Sequence, residues 1–200
     1  MDKAKIKNTA SELYLKYFKR GIPAEKMLKI IANEGLDYSE LDIDLKKAFL
    51  GALVKIPDIP LHIMINKNIK PIGRKNFTTA HELGHYALGH YFNSTSFYCN
   101  ESEIKEEGDA VSEQEKEANY FANCFLLPRE RVQKEFTNWY RWKISQNNKV
   151  FISISPSDKQ SWHIWKVISS RLSSKFKASG AAVKICLVEL GLINNFYVKR

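Results

Sequence analysis

Apolar residues recur at helical spacing through the first part of the chain. Over residues 3–20, Ala10, Leu13, Tyr14, Tyr17 and Phe18 gather on one side of an amphipathic helix. Gly21 ends it, Pro23 opens a second helix over 23–34, and Gly35 closes that one. A third helical stretch is expected over 39–49. The period then shortens. Gly51–Ile56 and Leu61–Ile65 read as strands separated by Pro57 and Pro60, with Asn66 ending the second. Residues 67–75 read as a turn, with a brief strand at 69–72. The next helix is expected over 77–90, with Asn76 as its N-cap. Thr79 and Glu82 also match a capping box, but a helix starting there would leave His81 in its first turn. An irregular acidic loop over 91–111 leads to a helix over 112–126 that Pro128 stops. An aromatic-rich helix over 129–143 and helices over 161–176 and 180–190 follow, the last closed by Gly191. Between them, 144–160 is loop-like with a short strand at Val150–Ile154.

Long helical patterns with a few short strands predict an α+β fold, mostly helical with a small β-sheet and a helical C-terminal region. The expected division is residues 1–130 and 131–200. The chain has 200 residues, 44% of them hydrophobic, which is enough for a real core. No apolar run approaches the roughly 18 residues of a membrane span, so no membrane association is expected. Met1–Lys7 is charged with no apolar stretch behind it, and no secretory signal is expected. Cys99, Cys124 and Cys186 are odd in number and widely spaced, which argues against a disulfide framework and a cysteine-rich metal site. Cys124 and Cys186 lie in apolar segments and read as small core residues. A reducing, cytoplasmic setting follows. The net charge of +9 is uneven: residues 101–117 carry eight acids against two lysines, and residues 129–200 carry 14 Lys and Arg against four acids.

The chemistry concentrates in His81-Glu82-Leu83-Gly84-His85. Residues four apart share one face of a helix, so His81 and His85 can offer two imidazoles to one metal ion. Glu82 lies near the same face, where a carboxylate can take a proton from water activated there. This is the H-E-x-x-H arrangement of zinc metallopeptidases. Such a site needs a third protein ligand. His62, His90 and His163 are candidates, and so is the acidic helix beginning near residue 112. The position six residues after His85, where metzincins carry a histidine, is Tyr91, and Leu88 stands where they need glycine. His90 therefore reads as an exposed residue at a helix end. The acidic helix is the better candidate, because Ala118, Ala122 and Leu126 continue from Glu115 along one face and small alanines permit close helix packing. Asn119, one turn from Glu115, can orient a ligand. Tyr86, Tyr91, Tyr120 and His163 are candidate donors to a developing oxyanion, and Arg74 a candidate loop anchor or partner of a substrate carboxylate.

Several ordered pieces resemble the ImmA/IrrE family of zinc-dependent metallopeptidases. They are Pro23 opening a helix that ends at Gly35, a strand ending at Ile65-Asn66, Arg74-Lys75-Asn76-Phe77-Thr78-Thr79-Ala80 running into the motif, and Glu115-x-x-Ala118-Asn119-x-Phe121-Ala122 with Leu126-Leu127-Pro128. The resemblance covers about 20–130 well and reaches weakly into 176–193. It implies a zincin-like, gluzincin-like domain over 1–130, with Zn2+ held by His81, His85 and Glu115 and Glu82 as general base. Glu117 and Glu113 are the other positions open to the third ligand. It also implies cleavage of a helix-turn-helix repressor, which in this family is often encoded nearby on a mobile element or in a stress circuit. Phe125 and the aromatic segment 136–165 depart from the family pattern.

Two other readings compete. One is a regulatory protein that docks on a transcription factor with little proteolysis; the intact Glu82 argues against it, since binding alone does not need that carboxylate. The other is nucleic-acid binding by residues 161–191, which are basic and have a helix-turn-helix-like rhythm near Trp139, Trp142, Trp162 and Trp165. The simpler account of those helices is a buttress whose aromatics fill core.

Overall fold

A computed structural model describes residues 1–44, 49–92, 96–100, 112–141, 152–154 and 159–195. Asp2 caps the first helix, α1 (Lys3–Tyr17), its carboxylate accepting from the Lys5 amide. Ile6, Ala10 and Tyr14, each four residues on, form its buried stripe. Helix α2 (Pro23–Asn33) carries proline in its first turn and buries Met27, Ile30 and Ile31. It ends in a Schellman turn: Gly35 takes φ +74°, its amide donates to Ala32 O, and the Leu36 amide donates to Ile31 O.

Strands β1 (Asp37–Leu41), β2 (Phe49–Val54), β3 (His62–Asn66) and β4 (Ser96–Asn100) form one sheet in the order β1-β3-β2-β4. β1 runs parallel to β3, with Tyr38 opposite Ile63 and Glu40 opposite Ile65, while β2 is antiparallel to both β3 and β4. The helix expected over 39–49 is therefore corrected. Residues 37–41 are a strand because β3 offers them a complete ladder, and a tertiary partner overrides a weak local pattern. Asn66 ends β3 by donating its side-chain amide to both Ile43 O and Phe49 O, at 3.0 Å each.

Helix α3 (Ile72–Ala87) starts five residues earlier than expected. Pro71 is its N-cap, and Pro71 O accepts from the Arg74 and Lys75 amides. Ile72 thus belongs to the helix, and no strand forms at 69–72. Asn76, expected as the cap, instead donates its side-chain amide to Lys177 O at 2.8 Å. Helix α4 (Glu113–Leu126) is capped by Ser112 and runs along α3. Helices α5 (Arg129–Arg141), α6 (Lys159–Phe176) and α7 (Gly180–Glu189) follow. The short strand expected at 150–154 is present as β5 (Ile152–Ile154), and it pairs in parallel with β6 (Ile193–Asn195), a strand the sequence pattern does not announce.

One apolar cluster joins the two halves of the chain. Ile6, Ile30, Ile65, Leu83, Phe121 and Phe125 share it with Phe136, Leu172, Phe176, Val183 and Leu187. Trp139, Trp162 and Trp165 pack against its edge. Cys124 and Cys186 are buried free thiols. Polar contacts tie α7 to α4 and to the start of α5: Asn123 donates to Ala182 O at 3.0 Å, and Glu189 accepts from both Arg129 and the Tyr120 hydroxyl. The mostly helical α+β expectation holds. Among the described residues no helix is long and apolar enough to cross a membrane. The acidic stretch 101–111, Trp142 and residues 143–151 lie outside the described residues.

Candidate metal centre

Starting α3 at Ile72 puts His81 in its third turn. His81 and His85 then share one face, their ring centroids 4.7 Å apart and their Nε2 atoms 3.0 Å apart. Both rings are fully buried. Helix α4 brings a carboxylate against them: Glu115 Oε2 lies 3.0 Å from His81 Nε2, and Oε1 lies 3.3 Å from His85 Nε2. The Ser112 cap fixes this end of α4, its hydroxyl accepting from the Glu115 amide itself at 3.2 Å. The helices approach closely because their contact residues are small. A Cβ on Gly84 would sit 2.9 Å from Phe121 Cδ1 and 3.3 Å from Ala118 O.

The outer ring nitrogens are also engaged. His81 Nδ1 lies 3.0 Å from Asn119 Oδ1. An amide oxygen only accepts, so Nδ1–H donates, and Nε2 is the nitrogen turned toward Glu115 and available to a metal. His85 Nδ1 lies 2.9 Å from His90 Nδ1, and His90 Nε2 lies 3.3 Å from Glu117 Oε2. The expected exposed position of His90 is thus corrected: its residue exposure is 5%. Gly89, at φ +74°, turns the chain back after α3 so that His90 meets His85.

Burial and partners shift the titration of the cluster. For His85, burial dominates and pulls the pKa down to about 4 despite its hydrogen bond to Glu115. Burial works the same way on His81, but there the hydrogen bond to Glu115 and the charges of Glu82 and Glu115 outweigh it, and its pKa is raised. Burial would raise Glu115, yet the hydrogen bonds and charges of the two histidines hold its carboxyl down to about 2. Burial also lowers His90.

The donor set fits a metal ion. In a tetrahedral zinc site with bonds of about 2.0–2.1 Å, neighbouring ligand atoms stand roughly 3.3 Å apart. The observed separations of 3.0, 3.0 and 3.3 Å match that edge. Among the described residues, His81, His85 and Glu115 are the group of His, Cys, Asp or Glu whose ligand atoms all lie within 4.8 Å. The other candidates stand elsewhere. His62 meets Ser39 Oγ at 2.8 Å, His163 is exposed on α6, Glu113 pairs with the Met1 amine, and Glu117 faces His90. Tyr86 donates to Glu34 and Tyr120 to Glu189.

Glu82 is fully buried beside the histidines, and its charge is felt at His81. Gly51 of β2 makes room for it. A Cβ there would stand 3.2 Å from Glu82 Oε1 and 2.9 Å from both Ile65 Cδ1 and Thr78 Cγ2. The pair His90 and Glu117 escaped sequence reasoning. The available signal was a histidine just past a glycine that closes a helix, since that turn reverses the chain.

Residues 50–150 match the peptidase family described as the IrrE N-terminal-like domain. The match spans β2, β3, α3 and α4, and so contains Glu82 and all three members of the cluster. No curated protein matches the chain.

Proposed function

The chain belongs to the peptidase family described as the IrrE N-terminal-like domain, and from that premise we propose that it is a zinc-dependent endopeptidase. The observation that carries the reading is the convergence of His81 Nε2, His85 Nε2 and Glu115 at 3.0–3.3 Å, with the Glu82 carboxylate buried alongside. Two imidazoles and one carboxylate leave a fourth coordination position open, the mark of a catalytic rather than a structural zinc site. A zinc ion bound there supplies Lewis acidity, lowering the pKa of water toward about 7 and polarising a peptide carbonyl. The protein's own residues do the rest. His81, His85 and Glu115 hold the ion, and Asn119 fixes the His81 ring through Nδ1. Glu82 takes the proton of the attacking water on its carboxylate and delivers it to the leaving amine nitrogen.

The substrate in this reading is a helix-turn-helix repressor. It is supported by the resemblance of the motifs at 74–85 and 115–128 to ImmA/IrrE proteins. A cytoplasmic setting is supported by two free thiols in the core. The test incubates the zinc-loaded protein with the helix-turn-helix regulator encoded beside it and reads the products by mass spectrometry. One defined cut is expected, absent with Glu82→Gln and absent with a chelator. A cut that survives Glu82→Gln at full rate, or a regulator left intact by the zinc-loaded protein, refutes the proposal.

A further inference from the structure

The outer edge of His85 carries a second histidine and a second carboxylate that the proposed mechanism does not use. A carboxylate oxygen only accepts, so His90 Nε2 is the donor in the contact to Glu117 Oε2 at 3.3 Å. A neutral imidazole that donates from Nε2 accepts at Nδ1. His85 Nδ1, 2.9 Å away, is therefore the donor across the buried contact. In that tautomer His85 Nε2 is the nitrogen left to a metal, on the side of the ring where Glu115 Oε1 and His81 Nε2 converge. The tautomer of His85 is thus set from outside inward, starting at a carboxylate whose side chain is 25% exposed. Glu117 stands in the wall of a surface cleft with Lys5, Thr9, Leu88 and Tyr91, so the chain of contacts runs from the protein's edge to the cluster.

His90 is not itself a ligand of the same ion. It meets His85 on the Nδ1 side of the ring, whereas Glu115 and His81 meet it on the Nε2 side. Its ring is also turned by 68° to that of His85, a twist about the contact that leaves the two Nδ1 atoms facing each other. His81 has a different outer partner, the amide of Asn119. The two imidazoles of the centre are therefore held by unlike means: one by an amide on the carboxylate-bearing helix, the other by a histidine and a carboxylate.

We infer that His90 and Glu117 are a positioning pair for His85, presenting its Nε2 to the metal and raising the metal affinity of the centre. The inference rests on the reading that His81, His85 and Glu115 bind a metal. His90→Phe removes the acceptor, and His90→Asn restores one, because the asparagine Oδ1 occupies nearly the place of histidine Nδ1. Zinc affinity is measured by competition with a chromogenic chelator, ligand geometry by the visible spectrum of the cobalt-loaded protein, and folding by thermal unfolding of the metal-free protein. His90→Phe is expected to weaken zinc binding by roughly 10–100-fold, the range for loss of an outer partner of a metal-bound histidine. His90→Asn is expected to bind within a few-fold of the parent and to recover the parent cobalt spectrum. Glu117→Ala, at a partly exposed side chain, is expected to fold and to weaken zinc by less than His90→Phe; it stands in where His90→Phe does not fold.

Parent-like zinc affinity in His90→Phe overturns the positioning role. Asparagine no better than phenylalanine overturns it too, since packing alone would then explain the loss. Unchanged zinc affinity in Glu117→Ala removes Glu117 from the pair. A parent protein that binds neither zinc nor cobalt overturns the metal reading itself, and that result is distinct from a tight parent with an indifferent His90.

Discussion

Gly73→Ala tests whether the last helices are seated on α3, the helix that carries His81 and His85. Gly73 is the second residue of α3, and glycine inside a helix is about 1 kcal/mol worse than alanine. On propensity alone the substitution should stabilise the protein. A Cβ at Gly73, however, would stand 2.6 Å from the carbonyl carbon of Ala178, 2.7 Å from its oxygen and 2.8 Å from Ser179 N. Ordinary carbon contacts lie near 3.5–4.0 Å, so the turn between α6 and α7 would have to retreat by about 1 Å. The obstructing atoms are backbone, and Asn76 pins the same turn through Lys177 O. Overpacking of this kind costs about 1–3 kcal/mol or more. Set against the helical gain, the net is a loss of about 2 kcal/mol at the upper end of that range. For a chain of this length each kcal/mol moves the midpoint by roughly 2–4 °C, so Tm should fall by about 4–8 °C. Calorimetry of the metal-free variant and parent measures it, and limited proteolysis should show earlier cutting beyond α5. A Gly73→Ala protein more stable than the parent by the full helical gain would refute the seating of residues 177–179 on α3.

Three further outcomes follow from the centre and its supports. Glu115→Ala should cost more zinc affinity than the roughly 10–100-fold of an outer partner, while Glu113→Ala should cost none; equilibrium chelator competition distinguishes them. Gly51→Ala should lower kcat/KM by up to ~10²-fold with zinc affinity kept, because the added methyl crowds Glu82 Oε1 and touches no ligand; parent-like turnover would contradict the placement of Glu82. Glu34 is the third: burial would raise its carboxyl, but hydrogen bonds from Lys16, Tyr17 and Tyr86 outweigh this and hold its pKa below the ordinary glutamate range. A depressed carboxylate stabilises the fold above its unfolded pKa and loses that contribution as pH falls through the folded value. Glu34→Gln should therefore lower the urea midpoint at neutral pH, with the gap to the parent closing below about pH 4.3, and a constant gap would refute the coupling.

The parts of the fold legible in the sequence are those fixed by neighbours along the chain. Ala10 and Tyr14 reveal the face of α1, Pro23 and Gly35 bracket α2, and Pro128 stops α4. β1 is hidden because its ladder partners, His62 to Asn66, lie about 25 residues away, and no local period encodes them. The start of α3 is hidden for another reason. Asn76 looks like a cap, but Pro71 O already satisfies the first helical amides, which frees the Asn76 side chain for a carbonyl 101 residues on.

The same distinction runs through the centre and explains the order in which its residues become visible. His81, Glu82 and His85 are one helical turn, so their spacing alone announces them. Glu115 is non-local: spacing narrows it to an acidic helix, and the choice among positions 113, 115 and 117 depends on how that helix meets α3. Gly84 and Ala118 settle that choice physically, because a close approach at that point brings the residue one turn before Ala118 to the histidines. The flanking glutamates then fall to other partners, Glu113 to the chain's amine and Glu117 to His90. His90 is least visible, since five residues after His85 is no helical repeat, and only the reversal at Gly89 carries it back. A ligand motif is therefore local, whereas what orients it is assembled by turns and helix contacts. Activity should accordingly be most sensitive within 81–85, and metal affinity should respond to residues such as Asn119, His90 and Gly84 that no ligand motif includes.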